Sequence, residues 1–125
     1  MDDQLYERGI EIRRDMFGAE ATDAAVAGAD LSRDMQDLVT KYCFGEVWAR
    51  EGLPRKVRSM LTIAILAALN RQEQLKVHVQ GALANGVTRD EIREVLLHAT
   101  IYCGVPAGVA AFGSAREVLG EREAP

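Results

Sequence analysis

The chain has 125 residues, of which 48% are hydrophobic, and a formal net charge of −4 at pH 7. Its length predicts one domain over residues 1–125. The acidic balance argues against nucleic acid and against an anionic membrane surface as partners, because both are bound by concentrated positive charge. The longest apolar run, residues 60–69, is about half of what a membrane-spanning helix needs.

Cysteine usage indicates the compartment. The chain has only two cysteines, Cys43 and Cys103, far apart in sequence, whereas small secreted domains carry more of them at closer spacing. Residues 2–4, Asp-Asp-Gln, are acidic and polar, unlike the basic start of a signal peptide. We therefore expect two reduced thiols in a cytoplasmic protein.

Apolar residues recur at helical rather than strand spacing, which predicts an all-α fold of about six helices. In chain order the predicted helices span residues 5–17, 31–48, 55–69, 72–85, 88–103 and 106–119. The alanine-rich stretch 19–29 is ambiguous, and we predict a short additional helix there. Pro54, Gly86 and Gly104 mark breaks between helices, because proline suits a first helical turn and glycine tolerates the backbone of a helix end.

Three of these helices carry informative patterns. The 31–48 helix has one apolar face, formed by Met35, Leu38, Val39, Tyr42 and Cys43. The 55–69 helix is apolar all round beyond its first turn, which predicts a buried central helix. Thr88 and Glu91 have the spacing of a capping box at the start of the next-to-last helix.

The two histidines are the first candidates for chemistry. His78 lies on the apolar stripe of its helix, so we expect it to be partly buried, with a pKa set by its surroundings. A hydrogen-bonded core histidine is the commoner meaning of that pattern. His98 follows Glu94 by four residues and precedes Tyr102 by four, so the three share a helix face. An ordinary exposed Glu94–His98 pair is the plainer interpretation.

Cations cluster where the 55–69 helix begins. Arg55, Lys56 and Arg58 lie at its start, where positive charge opposes the helix dipole. An anionic ligand or a nearby acid such as Glu46 would favour them there, and spacing does not separate these explanations. Glu46, Trp48 and Arg50 precede the loop before this helix and are candidates for a cleft wall. An aromatic anchor beside solvated charges is the plainer interpretation of these three residues.

Five runs of sequence carry a resemblance to a known family. They are YCFGEVW at 42–48, RSMLTIA at 58–64, ANGVT at 84–88, EVLLH at 94–98 and IYCGVPA at 101–107. In their order and spacing, and together with Tyr6, Gly9 and Arg13-Arg14, they resemble the gamma-carboxymuconolactone decarboxylase family over nearly the whole chain. The resemblance implies an alkylhydroperoxidase-D-like all-α fold, a ring-shaped homotrimer or homohexamer, and no metal or organic cofactor.

The resemblance also implies a reaction, the decarboxylation of 4-carboxymuconolactone to β-ketoadipate enol-lactone in protocatechuate catabolism. Such a carboxy-lyase acts on a small anionic lactone. For this reaction Arg58 is the predicted anchor of the acetate-arm carboxylate, and His78 the predicted proton donor or oxyanion stabiliser. Glu46 is predicted to orient His78 or to repel the carboxylate that leaves. The predicted substrate-binding residues are Trp48, Arg55, His98 and Tyr102.

A related peroxidase branch of the same fold uses a Cys-x-x-Cys-x-x-x-His motif. With His78 placed on the motif's histidine, Arg71 and Gln74 fall on the cysteine positions and Ser59 near that branch's glutamate. The residues of thiol redox chemistry are therefore missing, which argues against peroxidase activity.

Two positions depart from the decarboxylase pattern. Val109 and Gly113 stand where close relatives tend to carry Asn and His. This departure leaves two alternatives open. The chain is then a decarboxylase or isomerase-like enzyme for another lactone or keto acid, or a ring-forming protein that binds a small acid without turning it over.

Overall fold

The structure, a computed structural model, describes residues 3–28 and 31–120. These residues form α1 (Asp3–Phe17), α2 (Ala19–Ala27), α3 (Arg33–Leu38), a π-helix (Val39–Trp48), α4 (Arg55–Leu69), α5 (Gln72–Ala84), α6 (Arg89–Cys103) and α7 (Val105–Leu119). The described residues include no β-strand, so the all-α prediction is confirmed. Ala29, the last residue of the predicted 19–29 helix, lies outside the described residues.

The described residues divide into two compact units, and the division falls after Arg55. The N-terminal unit contains α1, α2, α3 and the π-helix, and the C-terminal unit contains α4 beyond its first residue together with α5, α6 and α7. Organisation as one domain over 1–125 stays a prediction. No helix in the described ranges is long and apolar enough to cross a membrane.

The N-terminal unit is built on a close approach between α1 and the π-helix. A Cβ atom on Gly9 would lie 1.8 Å from the backbone oxygen of Thr40, and one on Gly45 would lie 2.2 Å from that of Leu5. Only glycine fits at either contact. Beside it lies a small apolar core, which consists of Ile12, Met16, Phe44 and Trp48.

The structure overturns the apolar face predicted for residues 31–48, and the π-helix accounts for its second half. Met35 and Leu38 are exposed on α3, and Tyr42 and Cys43 are exposed on the π-helix. Backbone hydrogen bonds of a π-helix span five residues, as in the 3.1 Å bond from the Ala49 amide to the Phe44 carbonyl, so the side chains no longer follow the α-helical period. The residues that this segment buries are Thr40, Phe44, Gly45 and Trp48.

The C-terminal unit has the larger core, with apolar side chains from α4, α5, α6 and α7. Local signals fix the helix ends as predicted. The Thr88 hydroxyl accepts from the Glu91 amide at 3.0 Å, and the Glu91 carboxylate accepts from the Thr88 amide at 2.9 Å, which confirms the capping box. Asn70, which directly follows α4, and Gly86, which lies just beyond α5, have positive φ.

The prediction that α4 is buried on every side was wrong. The helix buries one stripe, Ser59, Ile63 and Ala67. On other sides Leu61, Ile65 and Leu69 are exposed, Ile65 by 56%. The helix is apolar on two faces, but in this single chain other residues cover only one of them.

Replacement of Gly9 tests the close helix approach. Gly9→Ala should lower the free energy of unfolding by about 1–3 kcal/mol, the range for overpacking, because its Cβ would overlap the Thr40 carbonyl. Gly113→Ala is the matched control: a Cβ there meets no atom within 4 Å, and alanine in a helix interior should stabilise by about 0.5–1 kcal/mol. Urea unfolding curves measure both, and an unchanged midpoint in Gly9→Ala would contradict the packing.

Candidate active site

The predicted site residues are distributed over both units. Glu46 and Trp48 belong to the π-helix, and Arg55 ends the N-terminal unit. The C-terminal unit holds Arg58 on α4, His78 on α5, and His98 and Tyr102 on α6. The structure brings Trp48 and Arg55 together in one pocket and His98 against Tyr102.

The pocket in the N-terminal unit has a volume of about 480 Å³. Its lining includes three cationic and three larger apolar side chains. These are Arg8, Arg50 and Arg55, and Ile12, Trp48 and Leu53. We call it the Trp48 pocket. A flat apolar wall beside several guanidinium groups suits a small organic anion.

Local contacts hold Trp48 in place. Its side chain is only 7% exposed and stacks on Phe44, with ring centroids 5.8 Å apart and an interplanar angle of 27°. Burial raises the pKa of the neighbouring Cys43 thiol, and Arg13 and a hydrogen bond with Trp48 partly offset this rise. Cys43 is therefore a thiol at neutral pH rather than a nucleophilic thiolate.

The cations of the Trp48 pocket differ in their partners. Arg55 forms a 3.2 Å ion pair with Asp15, and Arg50 a 4.0 Å pair with Glu46. The Nε atom of Arg8 donates to the backbone carbonyl of Gly45 at 3.1 Å. No sequence signal pointed to Arg8, which looks like one more polar residue on the outer face of an amphipathic helix.

His78 is half-buried on α5, between core residues Leu75 and Val79. Desolvation lowers its pKa below the ordinary value of 6.5, so the imidazole is neutral near pH 7. The partial burial predicted from the apolar stripe is confirmed. A neutral imidazole keeps one N–H and can donate it to a carbonyl oxygen.

The cationic cluster at the start of α4 has acidic partners, and Glu46, the example named from the sequence, is not one of those that the ion pairs show. Lys56 pairs with Glu91 at 3.0 Å, and Arg55 pairs with Asp15 rather than with Glu46. Arg58 is half-buried with its Nε atom inside the protein. Its carbonyl accepts from the Thr62 hydroxyl at 2.8 Å, a bond within α4.

His98 and Tyr102 lie on the outside of α6. Their ring centroids are 4.9 Å apart, and Tyr102 is 79% exposed. Glu94 and His98 are both exposed, and among the described residues no ion pair joins them. Val109 is exposed on α7, and a Cβ at Gly113 would enter open space, so the backbone leaves room for a larger side chain there.

A second pocket, of about 430 Å³, lies between α6 and α7 and contains none of the predicted site residues. Arg89, Arg93 and Arg116 line its polar side. Arg89 donates to the carbonyls of Leu119 and Gly120, and Arg93 pairs with Asp90. The Arg89 contacts place a cation at the carboxyl end of α7, where it stabilises the helix. In the described ranges no group of three or more His, Cys, Asp or Glu side chains is arranged to hold a metal ion.

A helical chain with a cationic, aromatic-walled pocket and a desolvated neutral histidine fits a small-acid enzyme of the all-α class. The model of the carboxymuconolactone decarboxylase family matches residues 33–117, across both units. The chain belongs to the carboxymuconolactone decarboxylase family, and the resemblance seen in the five sequence runs is confirmed.

Three relatives match most of the chain. It is 41% identical over 119 residues to the 4-carboxymuconolactone decarboxylase of Acinetobacter baylyi, covering 94% of this chain and 89% of that protein. It is 41% identical over 109 residues to the nitrosuccinic acid decarboxylase of Metarhizium robertsii, covering 86% of this chain and 76% of that protein. An uncharacterised 15.0 kDa protein of Paracoccus denitrificans is 30% identical over 129 residues, covering 96% of this chain and 94% of that protein.

The lowered pKa of His78 predicts a pH dependence of stability. The unfolded chain takes up this proton near pH 6.5 and the folded protein only at lower pH, so the unfolded state binds more protons in that window. The free energy of unfolding should therefore be unaffected by His78 above about pH 6.5. It should fall as the pH drops from there towards the pKa of His78 in the folded protein.

His78→Gln should flatten this part of the profile, whereas His98→Gln, which removes the other histidine, should keep it. The measurement is the urea unfolding midpoint of the wild type and of the two variants from about pH 7.5 to 5.5. This range lies above the pH at which most carboxylates titrate. Identical slopes for wild type and His78→Gln would refute the assignment.

Proposed function

We propose that the chain is a cofactor-free carboxy-lyase that converts 4-carboxymuconolactone into β-ketoadipate enol-lactone and carbon dioxide. The observation that carries the proposal is the match of nearly the whole chain to the Acinetobacter baylyi protein of that name. The Trp48 pocket supports it, because guanidinium groups beside an indole suit a flat anionic lactone. A cytoplasmic location, expected from the cysteine usage, is part of the same proposal.

The substrate supplies its own electron sink. The bond between the ring carbon and its carboxylate breaks, carbon dioxide leaves, and the electron pair moves through the ring double bond onto the lactone carbonyl. The resulting dienolate takes a proton at the ring carbon next to the carbonyl, which gives the enol-lactone. The protein has to hold the acetate-arm carboxylate, stabilise negative charge on the carbonyl oxygen, and deliver the proton.

His78 suits the second of these tasks. Its lowered pKa keeps the imidazole neutral, with one N–H to donate to the carbonyl oxygen as charge grows there. Arg58 is the predicted anchor for the acetate-arm carboxylate. Glu46 keeps its predicted role of orienting His78 or repelling the carboxylate that leaves.

The other predicted substrate-binding residues differ in what supports them. Trp48 and Arg55 line the Trp48 pocket, which favours their assignment. His98 and Tyr102 are exposed on α6 and would meet substrate at a subunit interface.

A second candidate is decarboxylation of a nitro dicarboxylic acid, favoured by an identity of the same 41% to the nitrosuccinic acid decarboxylase. The two reactions share their electron flow. In nitrosuccinic acid the electron pair left by carbon dioxide moves onto the oxygens of the nitro group, as it moves onto the carbonyl oxygen of the lactone. One site with a carboxylate anchor and a neutral hydrogen-bond donor serves either substrate.

The first test is carbon dioxide release from each of the two acids, after metal chelation and without thiols. Loss of the conjugated-lactone absorbance with one carbon dioxide per lactone is the expected result. His78→Ala should lower kcat by about 100- to 1,000-fold, the usual loss when one oxyanion donor is removed. Gln80→Ala, an exposed position on the same helix, is the control. Release from neither acid would sink the proposal, and near-normal turnover by His78→Ala would remove His78 from it.

We further propose that the chain assembles as a homotrimer or homohexamer. Exposed apolar side chains on the C-terminal unit support this, because a monomer rarely leaves so many uncovered. They include Leu61, Ile65, Leu69, Leu97, Ile101, Val105 and Val109. Light scattering after gel filtration should give three or six chain masses for the wild type. Ile65→Glu should reduce that mass, and a wild-type mass of one chain would contradict the proposal.

A further inference from the structure

We infer that Arg8 binds the carboxylate that the substrate keeps, and that it does so in the Trp48 pocket. This inference rests on the proposed function, since it takes the substrate to be a dicarboxylate that loses one carboxylate and keeps the other. It assigns to Arg8 the anchoring role predicted for Arg58 from the sequence.

Arg8 is oriented by a contact that leaves its terminal nitrogens available. Its Nε atom donates to the Gly45 carbonyl at 3.1 Å, which fixes the plane of the guanidinium group. This carbonyl lies near the carboxyl end of the π-helix, where helix carbonyls lack intrahelical partners and favour a cation. The two Nη atoms of Arg8 have no acceptor among the described residues. Two parallel N–H donors of this kind match a carboxylate.

The other two cations of the pocket are already matched by acids. Arg50 pairs with Glu46 and Arg55 with Asp15. In the part of the chain that the structure describes, Arg8 is therefore the pocket cation without a carboxylate partner. An incoming carboxylate can bind there without breaking an existing ion pair.

The charge change in the reaction decides which carboxylate Arg8 holds. The carboxylate that leaves loses its charge on the way to the transition state, so a cation beside it would stabilise the ground state and slow the reaction. The retained carboxylate keeps its charge throughout, and a cation there binds ground state and transition state equally. Ile12, Trp48 and Leu53 supply apolar walls for the body of the molecule. A pocket of about 480 Å³ is within the usual range for small ligands.

The pocket carries its own reporter, because Trp48 is the only tryptophan in the chain. The probe is muconolactone, which has the lactone ring and the acetate-arm carboxylate but no carboxylate on the ring carbon. Its methyl ester is the uncharged control. Titration of tryptophan emission should give a saturable change, with the acid bound more tightly than the ester and the preference reduced by salt.

Variants assign the preference to a residue. Arg8→Gln should weaken binding of the acid by about 10- to 100-fold and bring the acid-to-ester preference close to one. Arg8→Lys should retain part of the preference, because it keeps the charge without the planar fork. Glu51→Gln removes a carboxylate that lines the same pocket, so it should tighten binding of the acid.

The preference is a ratio, so a general loosening of the fold does not imitate its loss. A full preference in Arg8→Gln, or a loss in Arg58→Gln alone, would overturn the inference. If Arg8→Gln does not fold, the wild-type titration decides: equal binding of acid and ester overturns it.

Failure of the inference and failure of the proposed function are separable. Carbon dioxide release with an unchanged kcat/KM in Arg8→Gln refutes the inference and leaves the function standing. An Arg8-dependent preference for the acid without any carbon dioxide release refutes the function and leaves the carboxylate site standing.

Discussion

The approach of α1 to the π-helix, with glycine at both contacts, is the constraint on which the N-terminal unit depends. Backbone oxygens of Leu5 and Thr40 occupy the positions where side chains of Gly45 and Gly9 would begin. At this separation Arg8 reaches the Gly45 carbonyl and Arg13 donates to the Thr40 hydroxyl at 3.0 Å. The same contacts hold the segment that carries Trp48. The packing of α1 on the π-helix and the positions of Arg8 and Trp48 in the pocket therefore depend on the same contacts, and a change at either glycine would alter both.

The sequence predicted most of the helices because their ends are locally encoded. The α6 capping box involves residues three positions apart, and positive φ at Asn70 and Gly86 needs only residue types that tolerate it. The π-helix has no such local code. Its wide winding accompanies contacts with α1, which lies more than 25 residues earlier, so a pattern read at α-helical spacing placed Tyr42 on the wrong side. The exposed face of α4 was unpredictable for a related reason, since composition indicates that a surface is apolar but not what covers it.

The same difference between local signals and long-range contacts applies to the residues of the candidate site. Half-burial of His78 followed from its place on an apolar stripe, which is a local property, and the family resemblance then gave it a predicted role. The partners of the α4 cations did not follow from spacing: Asp15 and Glu91 reach them from distant parts of the sequence, whereas the nearer Glu46 pairs with Arg50. Arg8 had no signal at all, because its significance lies in a carbonyl 37 residues away.

The electrostatics of decarboxylation explain why a desolvated histidine suits this chemistry better than a charged one. During the reaction negative charge leaves a carboxylate and appears on an acceptor oxygen of the same small molecule. A full positive charge near both groups would stabilise the starting carboxylate as much as the product oxygen, and the barrier would not fall. A neutral N–H acts over a shorter distance and favours only the oxygen it points at. Burial around His78 lowers its pKa and so preserves that neutral form at pH 7. A permanent cation is useful only at the carboxylate whose charge does not change.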